Sequence, residues 1–112
     1  MADVKPIPDG YPRVMPYLSV EGAGAAIDFY GTVFGAVERV RMPGPDGRIG
    51  HAQLEIGDSV IMLADESPGS GTRGPKAYGG TPVMLSVYVD DADAVVDRAV
   101  ASGATALRAV ED

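Results

Sequence analysis

Hydrophobic and polar positions change period several times along the chain, and each change marks an element. Residues 1–12 carry Pro6, Pro8 and Pro12 with little periodicity, so they read as an extended arm. The run from Arg13 to Val20 suits a strand, with Pro16 placing it at an edge, at a bulge or against a partner. Ala23, Ala26, Ile27, Tyr30 and Phe34 then recur at helical spacing, which predicts a helix over 22–34 ended by Gly35. Strands are expected over 36–42 and 48–56, on either side of the hairpin signal Pro43-Gly44-Pro45-Asp46-Gly47. Gly57-Asp58 turns the chain into a further strand, Ser59 to Ala64. The order to residue 65 is β-α-β-β-β.

Residues 66–80 are rich in Gly and Pro and read as a loop. Beyond it the pattern restarts. Pro82–Val89 reads as a strand, and Asp91–Ser102 as a helix with Ala92, Val95, Val96 and Ala99 inward and Gly103 as its cap. Residues 105–109 begin another strand. The restart is an internal repeat: Val20, Glu21, Ala23, Ala25, Ile27 and Asp28 match Val89, Asp90, Ala92, Ala94, Val96 and Asp97 at an offset of 69. Gly35-Ala36 matches Gly103-Ala104 at an offset of 68.

Length and composition set limits on function. At 112 residues, 46% hydrophobic and 22% charged, the chain fits one globular domain spanning 1–112. Nine Lys+Arg against 16 Asp+Glu give a net charge of −7, the wrong sign for a nucleic-acid partner. No apolar run approaches the roughly 20 residues of a membrane span, and the N-terminus shows no secretory signal. The absence of Cys removes thiol catalysis and thiolate metal sites. A cytoplasmic location is the expectation.

Several motifs then carry a resemblance. Val20, Ile27-Asp-Phe-Tyr30, Phe34-Gly35, the stretch from Gly44 through His51-Ala52, Gly57 through Asp65, and Gly80-Thr-Pro-Val83 occur in the order found in the vicinal oxygen chelate superfamily. That superfamily holds the glyoxalase, bleomycin-resistance and dioxygenase proteins, and the resemblance is to its PhnB-like branch. It covers about 13–112. It implies an α+β fold in which paired βαβββ modules form a U-shaped mixed sheet with a ligand on the concave face. The first module would span 13–65, the loop 66–80 and the second module 81–112. The family carries two more strands after the one near 105–109, so the second module is expected to be truncated. The resemblance also implies a homodimer.

Enzymes of the superfamily hold a divalent metal through His, Gln or Glu. Alignment to the family motifs puts those positions at Met15, Met62 and Met84, and a thioether is a poor donor for hard cations. Neither a metal nor another cofactor is therefore expected. Methionines at all three positions favour an adaptable apolar pocket, although any one of them taken alone reads better as core filling.

Other candidates follow from strand alternation. Ala52, Leu54 and Ile56 would face the helix, leaving His51, Gln53 and Glu55 on the opposite face. His51, the one histidine, is there either a ligand contact and general base or a half-exposed sheet residue. One hairpin register would set Arg41 opposite His51, and a slip of one residue would replace it with Val40. Tyr17 and Ser19 share a face with Met15; Ser86 and Tyr88 share one with Met84. As repeat equivalents, these faces should confront each other. Loop 66–80, with Arg73, Lys76 and Tyr78, is either a lid or a linker.

Two functions remain open. The first is a metal-free protein that sequesters a hydrophobic or aromatic small molecule, of the antibiotic- or toxin-resistance type. Its ligand contacts would be Met15, Tyr17, Arg41, His51, Gln53, Met62, Met84 and Ser86, with no catalytic residue assigned. The second is an enzyme, glyoxalase-, isomerase-, lyase- or dioxygenase-like, dependent on metal or using His51 as acid and base.

Overall fold

The computed structural model describes residues 4–111; the first three positions of the expected arm and Asp112 lie outside the described residues. The chain runs through β1 (Tyr17–Val20), α1 (Ala23–Phe34), β2 (Val37–Pro43), β3 (Ile49–Ile56), β4 (Ser59–Asp65), α2 (Pro75–Tyr78) and α3 (Ala92–Ala101). The first five elements are those the sequence predicts. The strands form one sheet in the order β1-β4-β3-β2, with β1 parallel to β4 and the other pairs antiparallel. The fold is α+β with an open mixed sheet.

Alternation divides the sheet into two unlike faces. Ala52, Leu54, Ile61 and Leu63 are buried and form the core with Ala23 and Ile27 of α1 and with Ile49. Leu18, Val20, Ala26, Tyr30 and Ile56 close around that core. The β2–β3 turn takes positive φ at Asp46 (56°) and Gly47 (75°), as an Asp-Gly hairpin requires. Gly35 ends α1 at φ 67°, a left-handed cap that a residue with a Cβ adopts only at a cost.

The start of α1 has no cap of its own. Its N-cap is Gly22, which carries no side chain to receive the first helical N–H groups. Asp65, at the end of β4, supplies the acceptor from across the sheet. Its Oδ1 accepts from Gly22 N at 2.9 Å and Ala23 N at 2.8 Å, while Oδ2 accepts from Ile49 N at 2.8 Å. Burial pushes the Asp65 carboxyl upward, but the three backbone N–H groups, with Arg48 nearby, outweigh it and hold the carboxyl below the usual aspartate range.

The second half departs from expectation. Neither Pro82–Val89 nor 105–109 forms a strand. A strand needs a ladder partner, and over 82–90 the one backbone hydrogen bond among the described residues is Val83 N–H to Thr81 Oγ1. Of the second module, α3 is formed, capped by Asp91 Oδ1 on Ala94 N at 3.0 Å. It packs against α1, and Arg98 Nη2 donates to Val33 O at 3.2 Å. Val95, Val96 and Ala99 are half-buried as expected, whereas Ala92 is exposed because it lies in the first turn, beyond the reach of α1. Loop 66–80 contains the short helix α2. The radius of gyration, 15.6 Å, exceeds the roughly 13 Å of a compact domain this long, consistent with the loosely packed 82–111 segment.

Replacing Asp65 with Ala leaves three backbone donors without their ionic acceptor and is expected to cost about 2 kcal/mol in urea unfolding. Because the folded carboxyl lies below its unfolded value of about 3.9, its contribution is complete above that value. It is lost as pH falls through the folded value. The stability gap between wild type and Asp65→Asn should therefore be constant near neutrality and shrink only in acid. A gap that grows on acidification overturns this assignment.

Candidate functional site

The face opposite α1 collects most of the chemistry. Direct ladder partners share a face, and the register pairs Tyr17 with Met62, Gln53 with Met62, Val40 with Gln53, and Met42 with His51. Tyr17, His51, Gln53 and Met62 are thus brought together. Arg41 is not among them. The β2–β3 ladder shifts between Glu38 and Val40, so Arg41 pairs with Ala52 and turns to the helix side. There its Nη2 lies 2.7 Å from Glu38 Oε1, and the Glu38 hydrogen bond raises the pKa of the guanidinium. Met42 occupies the place opposite His51 that one expected register gave to Arg41.

A continuous hydrogen-bond chain crosses this face. Tyr11 Oη donates to Gln53 Oε1 at 2.6 Å. Gln53 Nε2 lies 2.9 Å from His51 Nε2, and His51 Nδ1 lies 2.8 Å from Tyr17 Oη. The Tyr17 and His51 rings are 5.4 Å apart and tilted by 39°. Tyr11 belongs to the proline-rich arm and is absent from the sequence-derived site. Arg39, the residue at the bulge, holds it: the guanidinium carbon sits 5.0 Å from the Tyr11 ring, Nη1 donates to Gly10 O, and Nε pairs with Glu55 at 2.9 Å. An aromatic residue in an otherwise aperiodic arm was the available signal.

The remaining candidates lie elsewhere. Met15 is half-buried just ahead of β1 and outside its ladder. Met84 is 91% exposed, and Ser86 is also exposed. The segment around them presents its other alternation, Val83, Leu85 and Val87, to a groove of about 790 Å³ along the free edge of β1. Tyr17, Ser19, Tyr30 and Phe34 also line that groove, and burial raises the pKa of the Tyr30 hydroxyl. Ser19 Oγ is a buried side-chain atom with no partner among the described residues. His51, Gln53 and Met62 do not border the groove, so the hydrogen-bond chain and the groove meet only at Tyr17.

The loop 66–80 walls the groove through Arg73, Gly74, Pro75 and Tyr78. Gly74 is buried against β1, and its N–H donates to Glu66 Oε2 at 2.8 Å. A Cβ at Gly74 would stand 3.1 Å from Glu21 N, Ser19 O and Val20 Cα, all backbone atoms with no freedom to withdraw. The loop therefore has a seated position beside β1, as a lid would.

The donor set does not fit a divalent cation. Among the described residues no group of three or more His, Cys, Asp or Glu side chains is gathered in one place. Both nitrogens of His51 are engaged by Tyr17 and Gln53, and Met62 offers only a thioether. What the face provides is Met42 and Met62 beside the polar chain of Tyr11, Gln53, His51 and Tyr17.

Comparison with known proteins agrees with this architecture. Residues 11–112 match the family model of the glyoxalase/bleomycin resistance protein/dioxygenase superfamily. Uncharacterized proteins of Mycobacterium bovis and Mycobacterium tuberculosis are each 45% identical over 104 residues. That alignment takes in 90% of this chain but only 68% and 61% of the respective relatives. An Arabidopsis thaliana gene product of known structure is similar at 26% identity and a TM-score of 0.74, over 89% of this chain and 80% of that one. The fosfomycin resistance protein FosX of Listeria monocytogenes shares the fold at 16% identity and a TM-score of 0.56, over 80% of this chain and 67% of its own.

Gly74→Ala is expected to cost about 1–3 kcal/mol, the range for forcing an extra carbon into a packed site. Its φ of −98° is open to alanine, so the effect comes from the clash alone. Limited proteolysis should then cut within 66–80 faster than in the wild type. Unchanged cleavage would show that the loop is not seated on β1.

Proposed function

The chain belongs to the glyoxalase/bleomycin resistance protein/dioxygenase superfamily, and from that premise we propose that it captures a small hydrophobic or aromatic compound without a metal. The observation that carries this reading is the open face itself. Met42 and Met62 flank Tyr17 and His51, and no side chain there supplies the oxygen or imidazole set a hard cation needs. Methionine side chains adapt to flat ligands and make favourable sulfur–ring contacts. The apolar groove along the free edge of β1 meets this face at Tyr17. The fosfomycin resistance protein that shares the fold supports a resistance-type role.

Within the superfamily we assign the chain to the PhnB-like branch, on the Gly44–Ala52 and Gly57–Asp65 motifs. In this reading it works in the cytoplasm as a homodimer. Among the described residues no helix is long and apolar enough to cross a membrane. A partner copy would cover the exposed Met84 and Tyr88.

Flat aromatic probes are expected to quench tyrosine fluorescence saturably and to be recovered unchanged. Met62→Glu should weaken binding about tenfold or more, since a carboxylate under an apolar ligand loses its water. Stoichiometric metal in the purified protein, or conversion of a ligand that disappears in His51→Ala, would replace this reading with an enzymatic one.

A further inference from the structure

The hydrogen-bond chain across the open face has a direction. Tyr11 Oη donates to Gln53 Oε1, so the amide stands with its carbonyl end toward the arm. The other end is an NH2 group, which only donates, and it faces His51 Nε2 at 2.9 Å. Nε2 must therefore be bare, and a neutral imidazole then carries its hydrogen on Nδ1. Nδ1–H in turn donates to Tyr17 Oη at 2.8 Å. The Tyr17 oxygen is an acceptor in this chain, so its own hydrogen remains unspent. No acceptor among the described residues takes it, and Tyr17 is 55% exposed.

We infer that Tyr17 is a one-way hydrogen-bond donor to a ligand oxygen, oriented through Gln53 and His51 by Tyr11. The inference deepens the capture reading above and rests on it, because it names the class of compound the face selects. That class is a flat apolar body carrying a carbonyl or similar oxygen acceptor. A hydrocarbon of the same shape leaves the tyrosine hydrogen without a partner and gains nothing from the chain. A ligand offering only donors meets an oxygen already engaged by Nδ1–H. Tyr11 is a positioning residue: it touches no ligand, and it acts by fixing which end of the Gln53 amide faces the ring.

The test has two readouts. Long-range 1H–15N NMR on labelled protein reports the His51 tautomer directly. The expected result is hydrogen on Nδ1 in the wild type and a mixture of tautomers in Tyr11→Phe, where the amide is free to turn. Hydrogen on Nε2 in the wild type overturns the proposal, because the chain would then run the other way. Binding is read with acetophenone and ethylbenzene, a pair matched in shape and differing in the acceptor. Acetophenone should bind about fivefold to tenfold tighter, the size of one net hydrogen bond, and Tyr17→Phe should abolish the difference. Equal wild-type affinities overturn the donor assignment and leave apolar capture standing. No binding of either probe at millimolar concentration overturns the capture reading and the selectivity with it.

Discussion

One carboxylate holds the sheet and its helix in register. Asp65 Oδ1 receives the first two N–H groups of the α1 entry, and Oδ2 receives the N–H that opens β3. The end of β4, the beginning of β3 and the start of α1 therefore meet at one side chain. Gly22 leaves the helix entry bare, so no local residue duplicates this role. The core of Ala23, Ile27, Leu54 and Leu63 packs only when α1 enters at that angle, and hydrophobic burial alone does not specify an angle. The open face inherits its geometry from the same point, because Met62 lies three residues before Asp65 on β4.

A second local irregularity decides what the open face contains. The bulge at Arg39 shifts the β2 ladder, which turns Arg41 to the helix side and brings Val40 and Met42 onto the site face. The bulged residue itself is put to use. Arg39 grips Gly10 O, the Tyr11 ring and Glu55 together, and so brings the arm to Gln53. The same displacement makes the face apolar and supplies the tyrosine that orients its one polar chain.

The first five elements were legible because each has its own local signal. Helical spacing from Ala23 to Phe34, alternation through Ala52 and Leu54, and glycines at the caps all agree with the packing that formed. Strand alternation put His51 and Gln53 on one face, and the ladder register brings Tyr17 and Met62 beside them. The bulge was not legible, since Glu-Arg-Val-Arg alternates smoothly and nothing in it marks an extra residue. The 82–89 segment shows a different limit: Val-Met-Leu-Ser-Val has strand propensity, but a strand also needs a partner with free N–H and C=O groups. Val83, Leu85 and Val87 border the groove while staying partly or largely exposed, and Met84 and Tyr88 are almost fully exposed. Tyr11 escaped notice because its contacts are tertiary and its own segment has no period.

The direction of the hydrogen-bond chain bears on the choice between capture and catalysis. A histidine that acts as a base must present a bare nitrogen to the substrate. In the proposed direction of the chain the bare nitrogen of His51 is Nε2, which the Gln53 amide covers, and the nitrogen nearer the open tyrosine carries the hydrogen. Proton abstraction at Nε2 would first require the amide to leave, breaking the contact with Tyr11 as well. Under that proposal the imidazole polarises Tyr17 rather than exchanging protons with a ligand. Hydrogen bonds in such a chain strengthen one another. Under the capture proposal, a polarised donor beside the methionines would hold an acceptor-bearing compound in one orientation without activating it, which is what sequestration needs and what turnover does not.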